Sequence, residues 1–338
     1  MEESVGDFFT GSSVLITGGT GSFGQAFAKY LLKQTDVARV IIFSRDEWKQ
    51  WQMRHSDPIF THPNIRFFLG DVRDLSRLKL ALKDVQFVVH AAALKQVPAA
   101  EYNPTEFINT NVTGAMNLTA AALESDVRHV IALSTDKAVN PLNLYGATKL
   151  CSDKLFIAAN SYVGKQSFPR FSVVRYGNVL GSRGSLIPLW TAQAQQGASQ
   201  LPITDMTMTR FWISLQQAVE FVVMALKQQT GGEIFVPKSP SVKISDLAQA
   251  LFPSLELEVT GIRPGEKLHE VLISQDDARN TYEFDTHYRI IPPYPYQRTP
   301  EITRVLEQAQ RVASDFSLCS DNNPRLLHSI QEIRELIS

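Results

Sequence analysis

Cysteine is scarce in this chain, with two residues, Cys151 and Cys319, in 338. Two thiols so far apart build no disulfide framework and offer no metal-ligand spacing, so both read as buried or inert thiols. The seven histidines are scattered, with no His-x-x-x-His pair and no cysteine partner, which argues against a zinc site. An excess of charge is also missing. Lysine and arginine total 33 against 34 acidic residues, a formal net charge of −1, so there is no electrostatic footprint for nucleic acid or an anionic membrane. No run of about eighteen apolar residues occurs, and the opening MEESVGDFFTGSS has no basic region followed by an apolar core. Internal repeats and low-complexity segments are absent as well. These absences leave a soluble, cytoplasmic protein, long enough for one large or two modest domains.

What the chain does have is concentrated in residues 134–149, STDKAVNPLNLYGATK, which gather a hydroxyl, a carboxylate, two amines and a phenol. The apolar, β-branched HVIALS before them predicts a buried strand ending near Ser134. Tyr145 and Lys149 stand four apart in a helix-compatible segment, so their side chains share one face about 5–6 Å apart at Cβ. A cation that close favours the phenolate, which predicts a Tyr145 pKa below its ordinary value of about 10. Taken alone, a Tyr-x-x-x-Lys is common and most often a solvated helix face.

Earlier in the chain, Val14, Leu15 and Ile16 run into TGGTGSFG and then an amphipathic helical pattern. Gly19-x-Gly21-x-x-Gly24, with Gly18 as an extra turn glycine, fits a dinucleotide fingerprint. Gly21 lets the backbone approach a pyrophosphate, Gly24 lets helix pack on strand, and the helix N-terminus faces the phosphate charge. The expected contacts in this loop are Gly18, Thr20, Gly21, Ser22, Phe23 and Gly24. A second strand ends at Ser44, Arg45 and Asp46, with Asp46 standing 22 positions after Gly24. An acid there binds a ribose 2′-hydroxyl and an arginine a 2′-phosphate; Arg45 with Lys49 tilts the choice to NADP. NIRFFLGDVRD adds a strand whose Asp71 and Val72 border the adenine. Residues 85–90 form another, followed by the small Ala91, Ala92 and Ala93 and by Lys95, and a helical pattern over 105–124 carries Asn111. A last strand spans 171–175. Strands alternating with helices predict an α/β protein with a doubly wound parallel sheet and a ligand at the carboxyl ends of its strands.

Beyond Arg175 the pattern becomes turn-rich. Helices are expected at 191–197, from an N-cap at Ser214 to Leu226, at 242–251, after the turn in GIRPGEKLHEVL, and at about 300–313 and 324–337, with a short strand at EIFVP. These segments read as a smaller substrate-binding lobe of residues 179–202 and 237–338. The dinucleotide domain then takes 1–178 with a returning segment at about 203–236. Arg183, Arg210, Arg263 and Lys267 are candidates to hold an anionic substrate.

Together, TGGTGSFG, STDKA, YGATK and RYGNVLGSRGS resemble the extended short-chain dehydrogenase/reductases, with a Rossmann-type sheet. SRDEWKQ, HAAALKQVP, TDMTMTRFW, GIRPGEKLHE and SDNNPRLL extend the resemblance over nearly the whole chain, to the UDP-N-acetylglucosamine 4,6-dehydratases of the C5-inverting type that opens pseudaminic acid synthesis. Membrane-anchored, C5-retaining relatives typically carry Met where this chain has Tyr145. Gln96 departs from the family's ALKHVP form. The resemblance implies a tightly bound NADP, recycled in each turnover, and a homo-oligomer such as a hexamer. It also implies substrate contacts from Lys95, Tyr176, Asn178, Arg183, Thr204, Arg210, Arg263 and Glu266. In the implied reaction Tyr145, with Lys149 and Thr135, takes the proton of the sugar 4-hydroxyl as hydride leaves carbon 4. Lys137 then removes the carbon 5 proton, which calls for a neutral amine and a pKa below about 10.4. Asp136, held protonated, donates to the departing 6-hydroxyl, and either Lys137 or Tyr145 reprotonates carbon 5.

Three other readings compete. A C5-retaining dehydratase or a nucleotide-sugar 4-epimerase keeps the fold, and the epimerase uses Tyr145 and Lys149 without needing Asp136 and Lys137. A dinucleotide-sensing regulatory protein would be expected to lose the Tyr/Lys pair, which this chain retains.

Overall fold

The computed structural model describes residues 5–164, 168–294, 298 and 300–337. Its centre is a parallel sheet of β1 (Ser13–Thr17), β2 (Arg39–Ser44), β3 (Ile65–Leu69), β4 (Phe87–His90), β5 (His129–Thr135) and β6 (Arg170–Tyr176). They lie in the order β3-β2-β1-β4-β5-β6, and the strand Ile234–Pro237 adds to β6, also parallel. β1 and β4 are buried along their whole length, which is why they read as continuous apolar runs. Helices cover both faces. In Ser22–Gln34 the buried Gly24, Phe27, Ala28 and Leu31 form the stripe that packs on the sheet. The order reverses between β1 and β4, and this opens a crevice at the carboxyl ends of the strands. Register then gathers the strand ends: Thr17 pairs with Phe43 and His90, and Thr135 with Tyr176.

The later part of the chain departs more from expectation. His287–Ile290, Thr281–Glu283 and Gln310–Arg311 extend the large sheet in antiparallel fashion. The helical pattern at 300–313 is therefore a helix only over Pro300–Leu306, and that at 324–337 only over Ile330–Ile337. Of the proline cluster at 290–300, residues 295–297 and 299 lie outside the described residues, as do residues 1–4 of the N-terminal stretch. The helix expected at 191–197 begins earlier, at Leu186–Gln195, because Trp190 anchors it: the indole is fully buried and donates to the Pro202 carbonyl at 3.1 Å. Trp190 belongs to a separate apolar cluster with Leu201, Trp212, Val242, Leu247 and Ile333.

GIRPGEKLHEVL forms no helix. It runs through a turn at Gly265 (φ +76°) into the strand Val271–Ile273, paired with Leu318–Cys319. The Arg210 guanidinium takes the carbonyls of Lys267 and Leu268, at 2.9 Å each, as its hydrogen-bond acceptors and so holds the segment extended. The helical stretch at 105–124 is interrupted by a π-turn, Ile108–Thr113, between Pro104–Phe107 and Gly114–Leu123. Among the described residues no helix is long and apolar enough to cross a membrane.

Candidate active site

A cleft of about 710 Å³ lies along the switch point. Its floor is the glycine-rich loop. A Cβ on Gly18 would stand 2.8 Å from the Ala92 nitrogen, and one on Gly24 would stand 2.5 Å from the Gly19 Cα, so both glycines are required by close backbone approach. On Gly21 a Cβ would meet only the Gly18 carbonyl, at 3.1 Å, and otherwise face the cleft. Gly21 is also the N-cap of Ser22–Gln34, and no side chain caps that helix, so its first N–H groups remain available to an anion. Thr20, Ser22 and Phe23 complete this wall. Ser44, Arg45, Asp46, Lys49, Asp71 and Val72 line the far end, and Ala91, Ala92, Ala93 and Lys95 the roof. Asp46 caps its own helix through the Lys49 N–H at 3.0 Å and pairs with the Lys49 ammonium at 3.3 Å, while Arg45 is exposed on the rim.

At the other end of the cleft the β5 strand delivers Thr135, and a short 3₁₀ turn, Asp136–Ala138, follows it. The helix Leu144–Ala159 carries Tyr145 and Lys149; Asn143 caps it by accepting from the Gly146 N–H at 2.8 Å. A Cβ on Gly146 would collide with the Lys137 carbonyl, so this glycine sets how closely the helix approaches the turn. Thr135 Oγ1 donates to Asp136 Oδ1 at 2.9 Å, and Lys137 Nζ donates to the same oxygen at 3.0 Å. Thr135, Lys137, Tyr145 and Lys149 line the cleft, whereas Asp136 is wholly buried behind them.

The electrostatics differ from expectation at two residues. Burial raises the Tyr145 phenol to about 12, although Lys137 and hydrogen bonding with Thr135 pull it down. The Lys149 ammonium is turned to the Leu133 carbonyl at 2.8 Å and is itself destabilised by burial despite Asp153. Lys137 also moves the other way. Burial weakens its hold on the proton, but Asp136 and Glu270 outweigh this and raise its pKa well above the ordinary value.

Of the candidate substrate contacts, Lys95, Tyr176, Asn178 and Arg183 line the cleft, while Thr204, Arg210, Arg263 and Glu266 do not. Arg210 is buried against backbone carbonyls, and Glu266 pairs with Arg263 at 2.7 Å and with Arg210 at 3.5 Å, so these charges serve the loop. Lys267 is held by the Val139 carbonyl at 2.6 Å. Asn111 is also off the wall, where its neighbour Thr110 stands. The π-turn points its amide at Leu94, whose N–H and carbonyl it binds at 2.9 Å each, and at Thr148 at 3.0 Å. A residue that sequence reasoning passed over is Glu270. It is 2% exposed, with its carboxylate 3.3 Å from Lys137 Nζ. Its signal was an acidic residue closing the GIRPGEKLHE motif, but the distance of that motif from residue 137 along the chain concealed the contact.

Residues 14–292 match the family described as "Polysaccharide biosynthesis protein". The chain belongs to that family. It is 52% identical over 98% of its length, and 98% of the relative's, to the UDP-N-acetylglucosamine 4,6-dehydratase (inverting) of Campylobacter jejuni. A UDP-glucose 4-epimerase of Rickettsia akari is 41% identical over 97% of this chain and 96% of its own. Among solved structures, Pen from Bacillus thuringiensis superposes with a TM-score of 0.88 at 34% identity, covering 98% of both chains.

Proposed function

We propose that this protein is an NADP-dependent UDP-N-acetylglucosamine 4,6-dehydratase that inverts carbon 5 and yields UDP-2-acetamido-2,6-dideoxy-β-L-arabino-hexos-4-ulose. One observation carries the reading: Lys137, backed by Asp136, faces the same cleft as Tyr145 and Lys149, so an acid and an amine adjoin the redox pair. The name of the Campylobacter relative agrees with it. The uncapped helix and the open face of Gly21 suit a pyrophosphate, and Arg45 with Lys49 suits a 2′-phosphate. Held there, NADP would supply a hydride acceptor for carbon 4 and a hydride donor for carbon 6. Tyr145 takes the 4-hydroxyl proton; positive charge nearby weakens its own hold on a proton. The resulting 4-keto group acidifies carbon 5, whose proton goes to Lys137, and Asp136, buried behind the wall, would protonate the departing 6-hydroxyl through the Thr135 hydroxyl that is hydrogen-bonded to it. Tyr176, Asn178 and Arg183, which line the same cleft, would contact the UDP-sugar. The reading includes a cytoplasmic homo-oligomer serving pseudaminic acid synthesis.

The name of the Rickettsia relative favours a second reading, a 4-epimerase, in which Asp136 and Lys137 have no task. Incubation with UDP-N-acetylglucosamine in heavy water, read by NMR, separates the two. The expected product is a 6-deoxy-4-keto sugar with deuterium at an inverted carbon 5 and no net growth of nicotinamide absorbance. A 4-epimer that keeps its 6-hydroxyl, or a centre retained throughout the early time course, would defeat the proposal.

A further inference from the structure

We propose that Glu270 is the positioning residue that aims Lys137 at carbon 5 of the sugar, completing with Asp136 a three-group proton relay; this rests on the dehydratase reading above. Lys137 Nζ lies 3.0 Å from Asp136 Oδ1 and 3.3 Å from Glu270 Oε1. An ammonium carries three N–H bonds. One is donated to Asp136 Oδ1, the Glu270 carboxylate attracts the ammonium from 3.3 Å by charge, and the side chain lines the cleft. The two carboxylates reach Lys137 from independent elements. Asp136 belongs to its own turn, whereas Glu270 comes from the segment held extended by Arg210. The Glu270 N–H donates to Ser320 Oγ at 3.0 Å, and its carbonyl accepts from the Ser320 N–H at 2.9 Å, which pins its backbone on both sides. Both carboxylates are buried, and Asp136 Oδ2 and Glu270 Oε2 have no hydrogen-bond partner among the described residues. A salt bridge serving stability alone gains nothing from such unsatisfied oxygens. The other charges acting around the group are Arg210, which opposes the Lys137 charge, Lys95 and Tyr145 near it, and Lys267, 3.7 Å from Glu270 Oε2.

This arrangement reconciles an amine that holds its proton tightly with its use as a base. The proposed relay starts from one ammonium and two carboxylates. Transfer of one proton from Lys137 Nζ to Asp136 Oδ1, across the 3.0 Å contact, produces a carboxylic acid and a neutral amine without net gain or loss. The lone pair left behind faces Asp136, and a one-third turn about the Cε–Nζ bond, with an N–H drawn toward the Glu270 carboxylate, brings it into the cleft. In the elimination the carbon 5–hydrogen bond breaks and its proton goes to Nζ. The electron pair forms the carbon 5–carbon 6 double bond, the carbon 6–oxygen bond breaks, and the Thr135 hydroxyl gives its proton to the hydroxide, which leaves as water, while taking the Asp136 proton in its place. The relay finishes in the ionisation in which it began.

The test compares Glu270→Gln and Glu270→Asp with the parent, as NADP-loaded protein turning over UDP-N-acetylglucosamine. In Glu270→Gln, kcat is expected to fall about 100-fold with KM little changed. A primary isotope effect should appear with substrate deuterated at carbon 5, and reduced nicotinamide should accumulate in a single turnover, because oxidation at carbon 4 proceeds while elimination stalls. Glu270→Asp keeps the charge but withdraws it by one methylene, and should recover part of kcat with a smaller isotope effect. A Gln variant with parental kcat overturns the inference, and so does one in which oxidation and dehydration fall together with no isotope effect at carbon 5. If the Gln variant does not fold, an Asp variant with parental kcat and no isotope effect overturns it equally. A parent that makes no 6-deoxy-4-keto sugar fails the dehydratase reading itself, and shows this before any variant is made.

Discussion

Arg45 and Asp46 illustrate how a side chain's neighbours decide what it offers a ligand. Asp46 caps its helix and pairs with Lys49, while Arg45 stands exposed at the rim. A charge-assisted contact with a 2′-phosphate contributes about 1.5–3 kcal/mol. Arg45→Ala should therefore raise the Kd for NADP about 10–100-fold and leave that for NAD nearly unchanged, as calorimetry can measure. Equal losses for both would show that Arg45 does not read the phosphate. Residue types and spacings in the first 180 positions made most of this cleft legible from sequence, because each strand end delivers its side chains to one edge. Proton affinities were not legible in the same way. The Tyr145-to-Lys149 spacing argued for a lowered phenol pKa, but burial of Tyr145 reverses the sign. Arg210 looked like a ligand for an anion because an arginine's charge is visible in sequence, whereas the backbone carbonyls that enclose it are not.

At the scale of elements, the glycine loop separates two kinds of glycine. Gly24 faces the backbone of Gly19, which cannot yield as a flexible side chain would. Gly24→Ala should cost about 1–3 kcal/mol through overpacking and lower Tm by several degrees. Gly21 faces the cleft, so Gly21→Ala should leave Tm much closer to the parent's and instead weaken dinucleotide binding. Thermal unfolding alongside cofactor titration checks the pair; the reverse order of effects would contradict this division. Elements with local signals were readable, as with Ser214, which caps Leu215–Gln228 in a capping box with Gln217. The segment GIRPGEKLHEVL was misread as helical because its periodicity is local, while the Arg210 and Ser320 contacts that keep it extended come from distant positions.

For the whole molecule, three histidines couple folding to pH. Burial lowers His90 to about 3, aided by Lys149; it lowers His129 to about 4, with Arg170 and Arg128, and His287 to about 3, with Arg289 and Lys238. Each folded pKa lies below the unfolded value near 6.5. Below that value the unfolded chain binds more protons than the folded one, so stability is fully present above about 6.5 and is lost as pH falls toward the folded values. The urea midpoint should therefore drop between about pH 7 and about pH 4.5, before most carboxylates protonate; a constant midpoint across that window would contradict it. His90 also shows how the assembled sheet uses such a residue, since its ring meets Thr17 Oγ1 at 2.8 Å beside the glycine loop. By itself the sequence determined the parallel sheet, the site of the dinucleotide crevice and the residues of the 134–149 stretch, because strand and helix periodicity, glycine spacing and the i, i+4 rule all act over a few residues. Only the tertiary structure decided which charges reach the cleft, that Glu270 closes on Lys137 and that Asn111 faces Leu94. Those outcomes depend on burial and on contacts between segments distant in the chain, which no local pattern encodes.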